Sequence, residues 1–321
     1  MQRLVVVAVF IATAAGVGHA QSRIEIHPIE SVTLTSQQVL LGDKNGRPAV
    51  LAGELRLPTA ATGKLPAVIL VHGSGGLSTG YARWAEELNS IGVATLLLDS
   101  FTGRGITNTI EDQSSLANLA MMVDAYRALD VLARHPRIDP KRIAVMGFSK
   151  GGVAAVYSSN ERFRQMYAPA GIQFAAHIGL YTSCSTRYRD DDKVTGKPIR
   201  MFHGTADDWT LASACHAYVD RLRKAGADAI LVEYPGAMHA YDSIAYKTPL
   251  EFKRAQTTRN CDLVEGENGL ILNSKTRKPF DWNDECIERG THIGYNEAAA
   301  VATTKAVKEF LTSVFNLTVP K

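Results

Sequence analysis

Basic runs are missing from this 321-residue chain. No stretch is rich in lysine and arginine, no basic stripe interleaves with aromatics, and the formal charge is only +3, so no nucleic-acid partner is expected. Metal-ligand spacings are missing too: neither C-x-x-C nor H-E-x-x-H occurs, so no metal site is expected. Internal repeats and low-complexity segments are absent, which excludes solenoids and disordered arrays. The one long apolar run, Leu4 to Val17, lies at the N-terminus behind Arg3 and ahead of a small-x-small site, Gly18-His19-Ala20. It is short for a bilayer span and no positive stop-transfer cluster follows. Residues 1–20 therefore read as a signal peptide, with a periplasmic or secreted mature chain, residues 21–321, that carries no membrane span. Cysteine is sparse. The four present, Cys184, Cys215, Cys261 and Cys286, make an even number in an exported chain and suggest two disulfides. Three connectivities are possible; Cys184–Cys215 and Cys261–Cys286 are favoured.

What remains is ample for one large core. "SVTLTSQQVLLG" and "AVLAGELRLP" alternate well enough to predict two opening strands. From "PAVILVHG" the pattern changes to continuous apolar runs, as strands buried on both faces require: "VATLLLD", "RIAVMGF", "IQFAAHIGLY", "PIRMFHG" and "AILVEYP" follow. Between them lie helical segments, among them "YARWAEELNSIG", "SSLANLAMMVDAYRALDVLARHP" and a segment near 211–224. A last helix is predicted over 297–314. Strand–helix alternation means a mostly parallel, doubly wound sheet with helices on both faces, whose sites form at the C-terminal ends of strands. Residues 244–292 break the rhythm. They are long, polar and poorly periodic, and read as an excursion of the same domain, tied by a Cys261–Cys286 bridge.

The strand ends carry the chemistry. "RIAVMGF" runs into Ser149 with Gly147 and Gly151 two residues to either side, a G-x-S-x-G turn in which two chain segments pass with no Cβ between them. "PAVILV" runs into His72-Gly73-Ser74-Gly75-Gly76, where backbone N–H groups turn inward. The N–H of Ser74, with Gly75 as the alternative, pairs with that of Lys150 as an expected oxyanion site. "PIRMF" ends in "HGTADDWT", offering Asp207 as the acid that orients a histidine; Asp208 is the competitor, or a cap for the next helix. "AILVEY" ends in "PGAMHAYD" and supplies His239 as base. His292 is the runner-up, and His216 belongs on a solvent-facing helix.

"GFSKGG", "HGTADDWT" and "YPGAMHAYD" together resemble the nucleophile, acid and histidine motifs of α/β-hydrolases, and more narrowly of the dienelactone hydrolase family. "LLLDSFTGRG" adds the aspartate, aromatic and arginine that this family carries after the same strand, here Asp99, Phe101 and Arg104. The likeness covers roughly residues 49–243 and the final helix. Two positions depart: Ser149 stands where dienelactone hydrolases proper have a cysteine, and His72 occupies the turn that carries their glutamate. The closer likeness is to exported, serine-using relatives.

The resemblance implies an α/β-hydrolase fold and cleavage of a small ester or lactone by Ser149, His239 and Asp207, with no cofactor. Only a short segment separates "FAAHIGLY" from "PIRMF", too short for a large cap domain and consistent with an open site. Arg104 is the expected reader of a substrate carboxylate. A peptidase or acyltransferase would use the same three residues, and a non-catalytic binding protein is the alternative of another class.

Overall fold

The computed structural model describes residues 22–59 and 63–317; the expected signal peptide lies outside them. The chain begins with β1 (Ser22–Thr33), α1 (Ser36–Leu41), β2 (Arg47–Pro58), β3 (Leu65–Val71), α2 (Thr79–Asn89) and β4 (Ala94–Asp99). It continues through α3 (Asn118–Arg134), β5 (Ile138–Phe148), α4 (Lys150–Tyr157), α5 (Glu161–Tyr167), β6 (His177–Leu180), β7 (Thr186–Arg187), β8 (Ile199–Gly204), α6 (Ala212–Lys224) and β9 (Ala229–Tyr234). It closes with β10 (Leu250–Thr257), β11 (Leu263–Glu265), β12 (Ile271–Asn273), β13 (Glu288–Ile293) and α7 (Glu297–Val314).

Eight strands form the main sheet in the order β1-β2-β4-β3-β5-β6-β8-β9, antiparallel at β1, β2 and β4 and parallel from β4 onward. The continuous apolar runs have a simple cause. Alternate residues of β3 enter different cores: Ala67, Ile69 and Val71 pack on the side of α3, α4 and α6, while Val68 and Leu70 pack with Trp84 of α2 and Val307 of α7. A strand covered on both faces has no position left for a polar residue.

One expected strand is not a strand. Ser36–Leu41 is helical because Thr35 and Gln38 form a reciprocal capping box, and Gly42 closes the turn in the left-handed conformation. The opening antiparallel pair does exist, but its first member runs earlier, from Ser22 to Thr33 against Arg47–Pro58.

The 244–292 excursion is built of small sheets. β10 pairs with β13, and β11 lies between β12 and β7. Cys261 is bonded to Cys286, and Cys184 to Cys215. The excursion is anchored by Glu265, which meets Arg162 at 2.6 Å and Arg189 at 3.1 Å. Burial alone would raise the Glu265 carboxyl, but its bonds to the two arginines hold it below its ordinary value. Among the described residues no helix is long and apolar enough to cross a membrane.

Candidate active site

Ser149 sits on the sharp turn between β5 and α4 with φ 53° and ψ −115°, a conformation that L-residues adopt only under strain. The glycines around it are obligatory for close approach. A Cβ on Gly147 would run into the Gly151 carbonyl, and one on Gly151 into the carbonyls of Val71 and His72 at the end of β3. The turn thus holds the serine hydroxyl clear of the backbone.

Ser149 Oγ lies 2.9 Å from His239 Nε2, and His239 Nδ1 lies 2.8 Å from Asp207 Oδ2. Asp207 is fixed through its other oxygen, which accepts from the amides of Trp209 and Thr210, both at 2.9 Å. Thr210 Oγ1 is 3.0 Å from Asp207 Oδ2, and His203 Nε2 is 3.3 Å from it. Burial would raise the Asp207 carboxyl; the electrostatic pull of His239 and the hydrogen bonds from His203 and His239 outweigh it and hold the group well below the usual carboxylate range. The Trp209 ring lies over His239 with centroids 4.9 Å apart, and the Tyr181 ring meets it edge-on at 4.8 Å. Trp209 is itself held by the excursion, donating from Nε1 to the Gln256 carbonyl at 3.0 Å.

The glycine-rich turn after β3 is held from both sides. His72 Nδ1 donates to the Gly73 carbonyl at 2.8 Å and its Nε2 accepts from the Ser100 amide at 3.1 Å. Complete burial pushes the His72 pKa down and favours that neutral ring. Among the described residues the amides of Ser74 and Lys150 have no hydrogen-bond acceptor, and both residues flank Ser149 in one cleft wall.

Ser149 lies between two clefts. Tyr81, Trp84, Tyr181, His239, Tyr246 and Phe252 line one, together with the turn Gly73–Gly76. Gln113, Lys150, Ser183, Ser185, Thr257 and Trp282 belong to the other. The Lys150 ammonium is buried there against Gln113, with Nζ 3.2 Å from the Gln113 carbonyl and 3.1 Å from Oε1.

Several expected positions come out differently. Arg104 is not at the site. Its side chain is fully buried and all five of its N–H donors are occupied: Nε by Thr33 Oγ1, Nη1 by the Ser100 carbonyl and Asp124, Nη2 by the Val32 carbonyl and Asp124. A guanidinium spent in this way has no donor left for a substrate, so it pins its loop to β1 and α3 instead. Asp208 does not cap α6; it accepts from the His292 amide at 2.8 Å and from His292 Nδ1 at 2.7 Å, joining the excursion to the acid loop. His292 is therefore occupied at the surface, and His216 pairs with Glu233. Asp99 accepts from the amides of Phe101 and Thr102, and Phe101 packs on His72 at 4.3 Å. No spacing in the sequence marks Trp209, Gln113 or the Lys150 side chain as site residues, because distant segments settle their places: Gln256 of the excursion holds the Trp209 indole, and Gln113, ahead of α3, meets Lys150.

A mostly parallel eight-stranded sheet with a strained serine at the turn after its central strand defines an α/β-hydrolase. Residues 51–315 match the Dienelactone hydrolase family, and the chain belongs to that family and is a hydrolase of its type. A Bradyrhizobium sp. protein described as a probable 2-oxo-3-(5-oxofuran-2-ylidene)propanoate lactonase is 25% identical over 208 residues, covering 59% of this chain and 80% of that protein. Among solved structures, the dienelactone hydrolase-like promiscuous phosphotriesterase P91 from metagenomic libraries superposes with a TM-score of 0.58 at 15% identity, covering 91% of this chain and 98% of the other. The propionate-bound esterase Est2 of Thermogutta terrifontis gives 0.54 at 15% identity over 84% of this chain and 92% of its own.

Proposed function

We propose that this protein is an exported serine hydrolase that cleaves a small ester or lactone through an acyl-enzyme on Ser149. The observation that carries the reading is the unbroken hydrogen-bond line Ser149–His239–Asp207 at 2.9 and 2.8 Å. His239 Nε2 takes the hydroxyl proton as Ser149 Oγ attacks the carbonyl carbon, then returns it to the leaving oxygen. Asp207 keeps the proton of the free imidazole on Nδ1 and stabilises the imidazolium. The amides of Ser74 and Lys150 receive the oxyanion, each donor contributing about 3 kcal/mol to the transition state. Water, deprotonated by the same histidine, then releases the acid. The lactonase name of the Bradyrhizobium relative supports a lactone or ester, and two disulfides accord with an oxidising compartment.

The test is covalent labelling of the purified protein with a fluorophosphonate. Stoichiometric labelling at Ser149, lost in Ser149→Ala and in His239→Ala, is expected. A folded wild type that stays unlabelled overturns the assignment.

A further inference from the structure

His239 lines the aromatic cleft and takes no part in the wall of the other. The leaving oxygen receives its proton from His239 Nε2, so the leaving group lies in the aromatic cleft. Three aromatic donors of that cleft are spent within the protein. Trp84 Nε1 and the Tyr181 hydroxyl donate to the two oxygens of Asp242 at 2.7 and 2.8 Å, and Trp209 Nε1 donates to the Gln256 carbonyl. Tyr81, in the first turn of α2, differs. Its hydroxyl oxygen accepts from the Gly73 amide at 2.9 Å, and among the described residues its own proton has no acceptor. The Gly73 bond fixes the phenol oxygen and polarises its O–H. The Tyr81 ring meets Phe148, the residue before Ser149, edge-on at 4.9 Å. A Cβ built on Gly73 would stand 3.3 Å from Ser149 Cβ and 3.7 Å from the Tyr81 oxygen, so this glycine leaves a gap between the phenol and the nucleophile. Burial, joined by the Asp242 carboxylate, pushes the Tyr81 phenol well above its ordinary value, so it stays protonated wherever a histidine base works.

We propose that Tyr81 is a further catalytic residue, whose phenolic O–H donates a hydrogen bond to the leaving oxygen as that oxygen's bond to the acyl carbon breaks. His239 transfers the proton. Tyr81 keeps its own and stabilises the negative charge that gathers on the departing oxygen before the transfer is complete. The inference rests on the serine-hydrolase reading above. The test measures kcat/KM for 4-nitrophenyl, phenyl and ethyl acetate, which share one acyl group and differ in how much charge the leaving oxygen must carry. In Tyr81→Phe the loss should grow along that series and be about 10- to 100-fold larger for the ethyl than for the 4-nitrophenyl ester, the span of a hydrogen bond to a charged oxygen. Should that variant not fold, 3-fluorotyrosine placed at position 81 keeps the hydroxyl and its Gly73 contact while making it a stronger donor. It should then raise kcat/KM more for the ethyl than for the 4-nitrophenyl ester. A loss equal for all three esters, no loss at all, or an indifference to fluorination overturns the inference and leaves the serine mechanism standing. So does a wild type that labels with fluorophosphonate yet turns over none of the three. Failure of all three esters together with failed labelling overturns both readings.

Discussion

At the scale of single residues, the site depends on a histidine held in one tautomer and a serine held in one backbone state. Asp207→Asn preserves shape but gives His239 Nδ1 an amide that can donate a proton in place of the carboxylate acceptor. Activity should fall by roughly three to four orders of magnitude, with the melting temperature measured alongside to separate chemistry from stability. Gly151→Ala acts differently. The new Cβ meets the backbone carbonyls of Val71 and His72, which cannot move without displacing β3. This variant should lose soluble expression or unfold well below wild type in a thermal melt, and a wild-type melting temperature would refute the close-approach argument.

At the scale of elements, two interior ties hold the site's framework. The Arg104–Asp124 pair is fully buried on both sides and joins the loop after β4 to β1 and α3. Asp124→Ala leaves a buried guanidinium uncompensated and should cost about 3–5 kcal/mol by chemical denaturation. KM for ester substrates should stay at the wild-type value, because neither group reaches a substrate; a raised KM with unchanged stability would instead restore Arg104 to the site. The excursion is the second tie. It holds Trp209 through Gln256 and Thr257, and the chain leaving it holds the His239 loop through Ile293 and Gly294. Replacing Cys261 and Cys286 together by serine should raise proteolytic cleavage within 244–292 first. Catalytic loss should follow as Trp209 loosens from its place over His239.

At the scale of the whole molecule, stability should depend on pH in a stepped way. His72 and His177 are buried and their pKa values are pushed below 6.5, that of His177 to about 4. Below pH 6.5 the unfolded chain therefore binds protons that the folded chain refuses, and stability falls as pH drops from 6.5 toward 4. Asp207 and Glu265 have lowered values, so their contribution is present above the unfolded range near 4 and is lost at more acid pH. On the alkaline side, Lys150 releases its proton near 7 in the fold and near 10.5 unfolded. Its contribution to stability therefore rises between those two values. Melting temperatures across pH 3–9 should show an acid decline that begins above pH 5. A flat profile down to pH 4 would contradict the buried neutral histidines.

Much of this was written in local sequence. A strand buried on both faces admits only apolar residues, so β3, β4 and β5 announced the parallel sheet; the glycines around Ser149 announced the turn, because no other residue survives that approach. That Asp207 and His239 meet beside Ser149 was legible because each follows a strand that must end at the same edge of the sheet. The short helix after Thr35 was also legible in principle, since its capping box is a local pattern that was overridden by an apparent alternation. Arg104 was not. A guanidinium beside a site and one locked in the interior have the same sequence, and only the approach of Asp124, Thr33 and Val32 from distant segments distinguishes them. The same holds for Lys150, whose backbone position follows from the turn but whose side-chain environment is made by Gln113. The sequence by itself determined which residues stand at strand ends, because period and backbone sterics are local. The tertiary structure alone decided which charges are buried and paired, because desolvation depends on what the rest of the chain packs against.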